Sequence, residues 1–161
     1  MTTLVAALGG SQAPASFRVL PAGAFRATDG RPSTLPSWQI DRGTAAQLIT
    51  STAARAEDTL IDYEHQSLNP TRPGPAPAAG WFKRLEWREG DGLYVTDARW
   101  TDQARTMIEA GEYRYLSPTF TYDANNGKVT RLVSVGLTKM PPLNGRADLL
   151  AQTEHPGIEQ K

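Results

Sequence analysis

Hydrophobic positions fall in short blocks, the most regular of them β-branched and aromatic, separated by clusters of Gly, Pro, Asp and Asn. Brief apolar runs punctuated by turn residues predict a strand-rich fold with few helices. Residues 17–20 open it as a strand. Turn chemistry at 21–25 and 29–32 flanks a short apolar stretch and assigns it to the rim of a sheet. Residues 60–65 read as a buried strand ending in polar groups. Residues 81–87 and 92–100 read as two strands joined in a hairpin across 88–91. A second hairpin joins 113–122 to 128–137 through 123–127, where Asp, Asn and Gly tolerate positive φ.

Two stretches follow a helical period instead. Ala45, Ala46, Leu48 and Ile49 share one face of a helix running to about Thr52, entered after Asp41 or Thr44, either of which can cap its free amides. Ala104, Met107 and Ile108 do the same for a helix capped by Thr101 or Asp102 and stopped by Gly111. Between Ser67 and Gly80 four prolines, Pro70, Pro73, Pro75 and Pro77, fix φ and remove donors, which predicts an exposed loop. The fold class expected is α+β and strand-rich. The domain is bounded at 17–150, with its core ending near Leu143, a flexible N-terminus at 1–16 and a flexible tail at 151–161 that carries Pro156 and Gly157.

Composition narrows the function. At 161 residues the chain has the size of one domain with a single core, so one site is sought. Lys plus Arg, 17, balances Asp plus Glu, 17, and the isoelectric point near 6.7 gives no global pull toward nucleic acid or an anionic membrane. Neither is expected as a partner. The absence of cysteine removes disulfides, thiolate catalysis, Cys-ligated zinc and iron–sulfur clusters. Residues 1–12 have no basic residue before their short apolar run and nothing approaching 18 apolar residues, so neither a secretory signal nor a membrane span is read there. A cytoplasmic protein is expected.

Two histidines make the search for a general base short: His155 falls in the expected tail, and His65 closes an apolar strand beside Asp62 and Glu64. A structural histidine is the alternative. Ser117, in Tyr113-Arg-Tyr-Leu-Ser-Pro118, is held extended by the following proline and can aim its hydroxyl into a groove, or simply satisfy backbone at a strand kink. In a straight strand Asp62 and Glu64 share one face while His65 points to the other, which opposes a carboxylate–histidine contact unless the chain bends. A metal-dependent hydrolase built on Asp62, Glu64 and His65 lacks a second histidine at ligand spacing. No phosphate- or dinucleotide-binding glycine loop is present. Trp81, Trp87, Tyr94 and Trp100 are assigned to packing between strands.

The strings Leu60-Ile-Asp-Tyr-Glu-His-Gln66, Ala78-Ala-Gly-Trp81, Asp91-Gly-Leu-Tyr94, Arg99-Trp-Thr101 and Tyr113-Arg-Tyr-Leu-Ser-Pro118 together resemble the Mu-like prophage I protein family. Leu20-Pro-Ala-Gly-Ala-Phe25 and Asp29-Gly-Arg31 fit the same family, and the motifs occur in order from about Phe17 to Leu150. The resemblance implies a serine endopeptidase of phage procapsid maturation, cutting scaffold and major head proteins and often itself, inside the assembling procapsid in the host cytoplasm. It implies a small β-barrel flanked by a few helices, similar to other prohead proteases and to herpesvirus assemblin. It puts the nucleophile on Ser117 and the base on His65, with no cofactor and no metal, and it admits a homodimer.

The third member departs from the pattern. Related phage proteases carry an acidic residue, and assemblin a second histidine, on the strand after the nucleophile; here 130–138 has neither. Ser134 is favoured by position. Thr138, a bent Asp62 or Glu64, and a plain dyad remain as alternatives. The family also commonly continues into a scaffold-like C-terminal region. An inactive procapsid scaffold or interaction module with the same fold is the rival reading.

Overall fold

In the computed structural model the described residues are 1–8, 12–27 and 29–139. In chain order they form β1 (Thr2–Thr3), β2 (Ala6–Ala7), β3 (Phe17–Pro21), β4 (Gly23–Phe25), β5 (Trp38–Ile40) and α1 (Arg42–Ala53). There follow β6 (Thr59–Tyr63), a 3-10 turn at Gln66–Leu68, β7 (Ala78–Phe82), β8 (Leu85–Arg88), β9 (Gly92–Val95), β10 (Arg99–Trp100), α2 (Asp102–Glu109), β11 (Tyr115–Tyr122) and β12 (Val129–Thr138). Both helices begin as the capping chemistry predicts. Thr44 N donates to Asp41 Oδ1 at 2.8 Å, and Ala104 N donates to Thr101 Oγ1 at 3.1 Å, each satisfying one amide that the first helical turn leaves free.

The largest sheet runs β1-β11-β12-β6-β7-β10, with β2 also on β11; β3-β9-β8 form a second sheet and β4-β5 a third. The strand-rich α+β class is therefore correct, and the closed barrel is not: the large sheet ends at β10 on one side and at β1 and β2 on the other, and no pairing joins those ends among the described residues. The β11–β12 hairpin is antiparallel, turning through 123–127, with Gly127 at φ +78°. β6 lies against the far side of β12 and runs parallel to it. That pairing spans more than seventy residues of sequence, and no local signal announces it.

Period-two alternation divides the central strands into two faces. Leu116 of β11, Val135 and Leu137 of β12 and Ile61 of β6 share one face and belong to the main core, and Pro118, opposite Val135, is buried on that face too. There Phe25, Trp38 and Phe120 pack with ring centroids 5.2 to 6.1 Å apart, near the geometry aromatic pairs prefer. The opposite face carries Ser117 and Thr119, Ser134 and Gly136, and Asp62. It is polar yet largely shielded from solvent, a combination that calls for a reason.

The N-terminal residues, expected to be flexible, pair with β11 along 2–7 and bury Leu4 completely. The expected end of the core at Leu143 and the expected tail at 151–161 lie outside the described residues. No helix among the described residues is long and apolar enough to cross a membrane.

Candidate active site

Three strands bring one row of residues together. In the β11–β12 register Ser117 stands opposite Gly136, and in the β12–β6 register Gly136 stands beside Asp62. Residues in register on neighbouring strands present their side chains to the same face. Gly136, in the middle, has none. A Cβ built there would lie 2.8 Å from Cε1, 2.9 Å from Nδ1 and 3.0 Å from Nε2 of His65. The imidazole fills the space a side chain at 136 would take, on the face that Ser117 shares.

His65 reaches this position because the chain stops behaving as a strand. β6 ends at Tyr63, and both Glu64 (φ 55°) and His65 (φ 57°, ψ 28°) adopt left-handed backbone before the 3-10 turn begins. Such conformations cost on the order of 1–3 kcal/mol each for residues with a Cβ, so the surroundings must hold them. Two carboxylates do so. Asp62 Oδ2 accepts from the Ser67 amide at 2.9 Å and from the Ser67 hydroxyl, closing the turn around His65. Glu64 accepts from Thr138 Oγ1 at 2.9 Å and from the Lys139 amide at 3.2 Å, tying the bend to the end of β12.

The ring is half-buried and weakly partnered. Nδ1 lies 3.3 Å from Thr119 Oγ1, while Nε2 is buried without a hydrogen-bond partner. Asp62 is fully buried, and its Oδ1 likewise has no partner. Burial holds the His65 pKa below the ordinary histidine value, partly opposed by the negative charges of Asp62 and Glu64. The imidazole is thus neutral at neutral pH, the state a general base requires. Thr119 occupies Nδ1, and the tautomer with its proton on Nδ1 leaves the unpartnered Nε2 to accept a proton.

The structure brings Ser117 and His65 onto one face without a hydrogen bond between them. Ser117 is 3 % exposed. Ser134 is the cross-strand partner of Thr119; its buried hydroxyl has no partner and makes no hydrogen bond to the ring. The hydroxyl that meets Nδ1 is Thr119, which the sequence reading did not single out. Two positions after Ser117 on an extended strand, it had to share the face of Ser117, and that was the available signal. Gly136 was passed over as well, although a glycine inside a strand pattern marks a close approach. His155 lies outside the described residues. A cavity of about 430 Å³ opens beside Thr119 and Leu68, with Thr3, Arg31, Trp38 and Tyr122 among its walls.

Comparison with known proteins gives this geometry a family context. The family described as Mu-like prophage I protein, N-terminal domain, matches residues 17–150. The chain is 40% identical over 142 residues to Protease I of Escherichia phage Mu, covering 83% of this chain and 39% of that protein. It is 35% identical over 150 residues to the Mu-like prophage FluMu I protein of Haemophilus influenzae, covering 86% of this chain and 42% of that protein. The chain thus spans about two fifths of the length of these curated relatives. No solved structure matches it.

Proposed function

This chain belongs to the Mu-like prophage I protein family, and we propose that it is a serine endopeptidase of phage head maturation, with Ser117 as nucleophile and His65 as general base. The observation that carries the reading is the seating of a neutral imidazole over Gly136, the cross-strand partner of Ser117, in a turn held by two carboxylates. The name Protease I borne by the phage Mu relative supports the reaction class.

In this mechanism Ser117 Oγ attacks the scissile carbonyl carbon as His65 Nε2 takes its proton. The tetrahedral intermediate collapses, the imidazolium gives that proton to the departing amine, and an acyl-enzyme remains. Water, deprotonated by the same nitrogen, then releases the acid. Thr119 holds Nδ1 throughout, the part for which Ser134 was favoured by position. The pair need not be hydrogen-bonded at rest, because such contacts often tighten only around a bound substrate.

The substrates in this reading are scaffold and major head proteins of the same phage, and the chain itself. Co-expression with the cognate scaffold tests it: Ser117→Ala and His65→Ala each abolish cleavage while leaving a cooperative melt. Retained cleavage by either variant contradicts the assignment. The second reading, a procapsid interaction module without activity, draws on the 3 % exposure of Ser117. It predicts intact scaffold in the presence of the wild-type chain.

A further inference from the structure

The strand that carries Ser117 has an open edge, and the chain fills it with a segment from outside the family match. Residues 17–150 define the family domain. Within it β11 is bounded on one side by β12, and its other side is met only by residues 2–7 among the described residues. Pro118 carries the same message. A proline has no N–H to give a neighbour, so it is tolerated in a sheet chiefly on an edge strand, with its nitrogen turned outward. Here that side faces the N-terminal segment: Leu4 N donates to Pro118 O at 3.2 Å, and Pro118 returns nothing.

The segment behaves as an added peptide strand. Thr2 pairs with Phe120, Thr3 with Thr119, Ala6 with Leu116 and Ala7 with Tyr115, two short ladders in one antiparallel register that sets Val5 opposite Ser117. Leu8 N donates to Arg114 O at 2.7 Å. Hydrogen bonds at 4 and 8 make Val5–Ser117 a non-hydrogen-bonded pair, the type in which the chains and side chains come closest. Leu4 and Ala6 point to the core face and are buried, whereas Val5 belongs to the face of Ser117 and His65.

We propose that the open edge of β11 is a binding site for an extended peptide, and that residues 2–7 are its resident occupant, a strand that leaves before a substrate reaches Ser117. The ligand class follows from the occupant: an extended chain with a branched aliphatic residue facing Pro118 and a small one facing Leu116. Backbone hydrogen bonds supply affinity and the alternate side chains supply selection, as in other cases of strand addition. The consequence at Ser117 rests on the peptidase reading; the binding site does not.

The test uses the full chain and a double variant, Leu4→Asp with Ala6→Asp, in which two charges oppose return of the segment to the core. A fluorescent octapeptide with the sequence of residues 1–8 is the probe. The wild type, occupied in cis, binds none, and the folded double variant binds it. An octapeptide N-methylated at the fourth residue, lacking the donor to Pro118 O, binds about 2- to 10-fold more weakly, the worth of one backbone hydrogen bond. A serine-directed phosphonate modifies Ser117 about tenfold faster in the double variant, because the competent state is no longer a minor fraction, and the octapeptide slows it again. A folded double variant that binds no octapeptide overturns the proposal. So does a double variant without a cooperative melt, since a segment needed for folding is not an exchangeable occupant. Octapeptide binding with no modification of Ser117 sustains the site and instead removes the nucleophile assignment.

Discussion

The His65 imidazole rests where the side chain of residue 136 would be, 2.8 Å from the position of a Cβ at Gly136. The glycine sets the height of the ring above the sheet, and with it the reach of the ring toward Ser117. Gly136→Ala is predicted to displace the imidazole and lower kcat/KM about 100-fold, the effect of roughly an ångström of misplacement in a catalytic group. The crowding costs about 1–3 kcal/mol of stability, as an overpacked core position does. Steady-state kinetics and a urea titration of the same preparation check both.

Thr119 is predicted to act through the base and not on the substrate. Thr119→Val keeps the shape but leaves Nδ1 without its hydroxyl, at a cost of about 1–3 kcal/mol for an unpaired buried polar group. The expected result is a fall in kcat of about 5- to 150-fold with little change in KM, and recovery in Thr119→Ser. A purely structural threonine would not be rescued in this pattern.

The lowered His65 pKa gives activity a defined dependence on pH. The rate rises with pH and passes half its plateau below the ordinary histidine pKa of about 6.5, because the folded imidazole loses its proton below that value. Asp62 and Glu64 charges raise the pKa against the larger effect of burial. Asp62→Asn removes one of them, so its rate profile shifts to lower pH. It also weakens the turn at Ser67, and the maximal rate falls. A profile of kcat/KM from pH 5 to 8 for both proteins reads the shift.

Stability follows the same group with a sign that can be checked. Below about 6.5 the unfolded chain binds a proton at His65 that the folded chain resists, so the unfolded state holds more protons and stability falls as pH drops toward the folded pKa. Below the folded pKa this contribution levels off. His65→Gln removes it. Urea titrations at pH 8 and pH 5 are predicted to show a larger loss for the wild type than for the variant, the carboxylates being common to both.

Much of the frame was readable from local chemistry. Asp41 and Thr101 cap the helices they were expected to cap, and the turn at 123–127 joins the strand of Ser117 to its neighbour. What was hidden is non-local. Strict alternation sends His65 away from the face of Asp62, and that reasoning is sound for a straight strand; two consecutive left-handed residues, neither of them glycine or asparagine, overrule it because Ser67, Thr138 and Lys139 hold the bend. The parallel pairing of β6 with β12 sets the ring above Gly136, and register between distant strands leaves no mark in sequence. β5 was also missed: three residues, Trp38–Ile40, pair with β4 and bury Trp38 beneath Phe120 and Tyr122.

Cleavage in the proposed mechanism requires that His65 activate Ser117. Reaction with a serine-directed phosphonate, followed by mass spectrometry of the proteolysed protein, tests this most directly. The prediction is a single adduct on the peptide containing Ser117, lost in His65→Ala at the same pH while the fold is retained. An adduct elsewhere, or undiminished modification of Ser117 without His65, would contradict it.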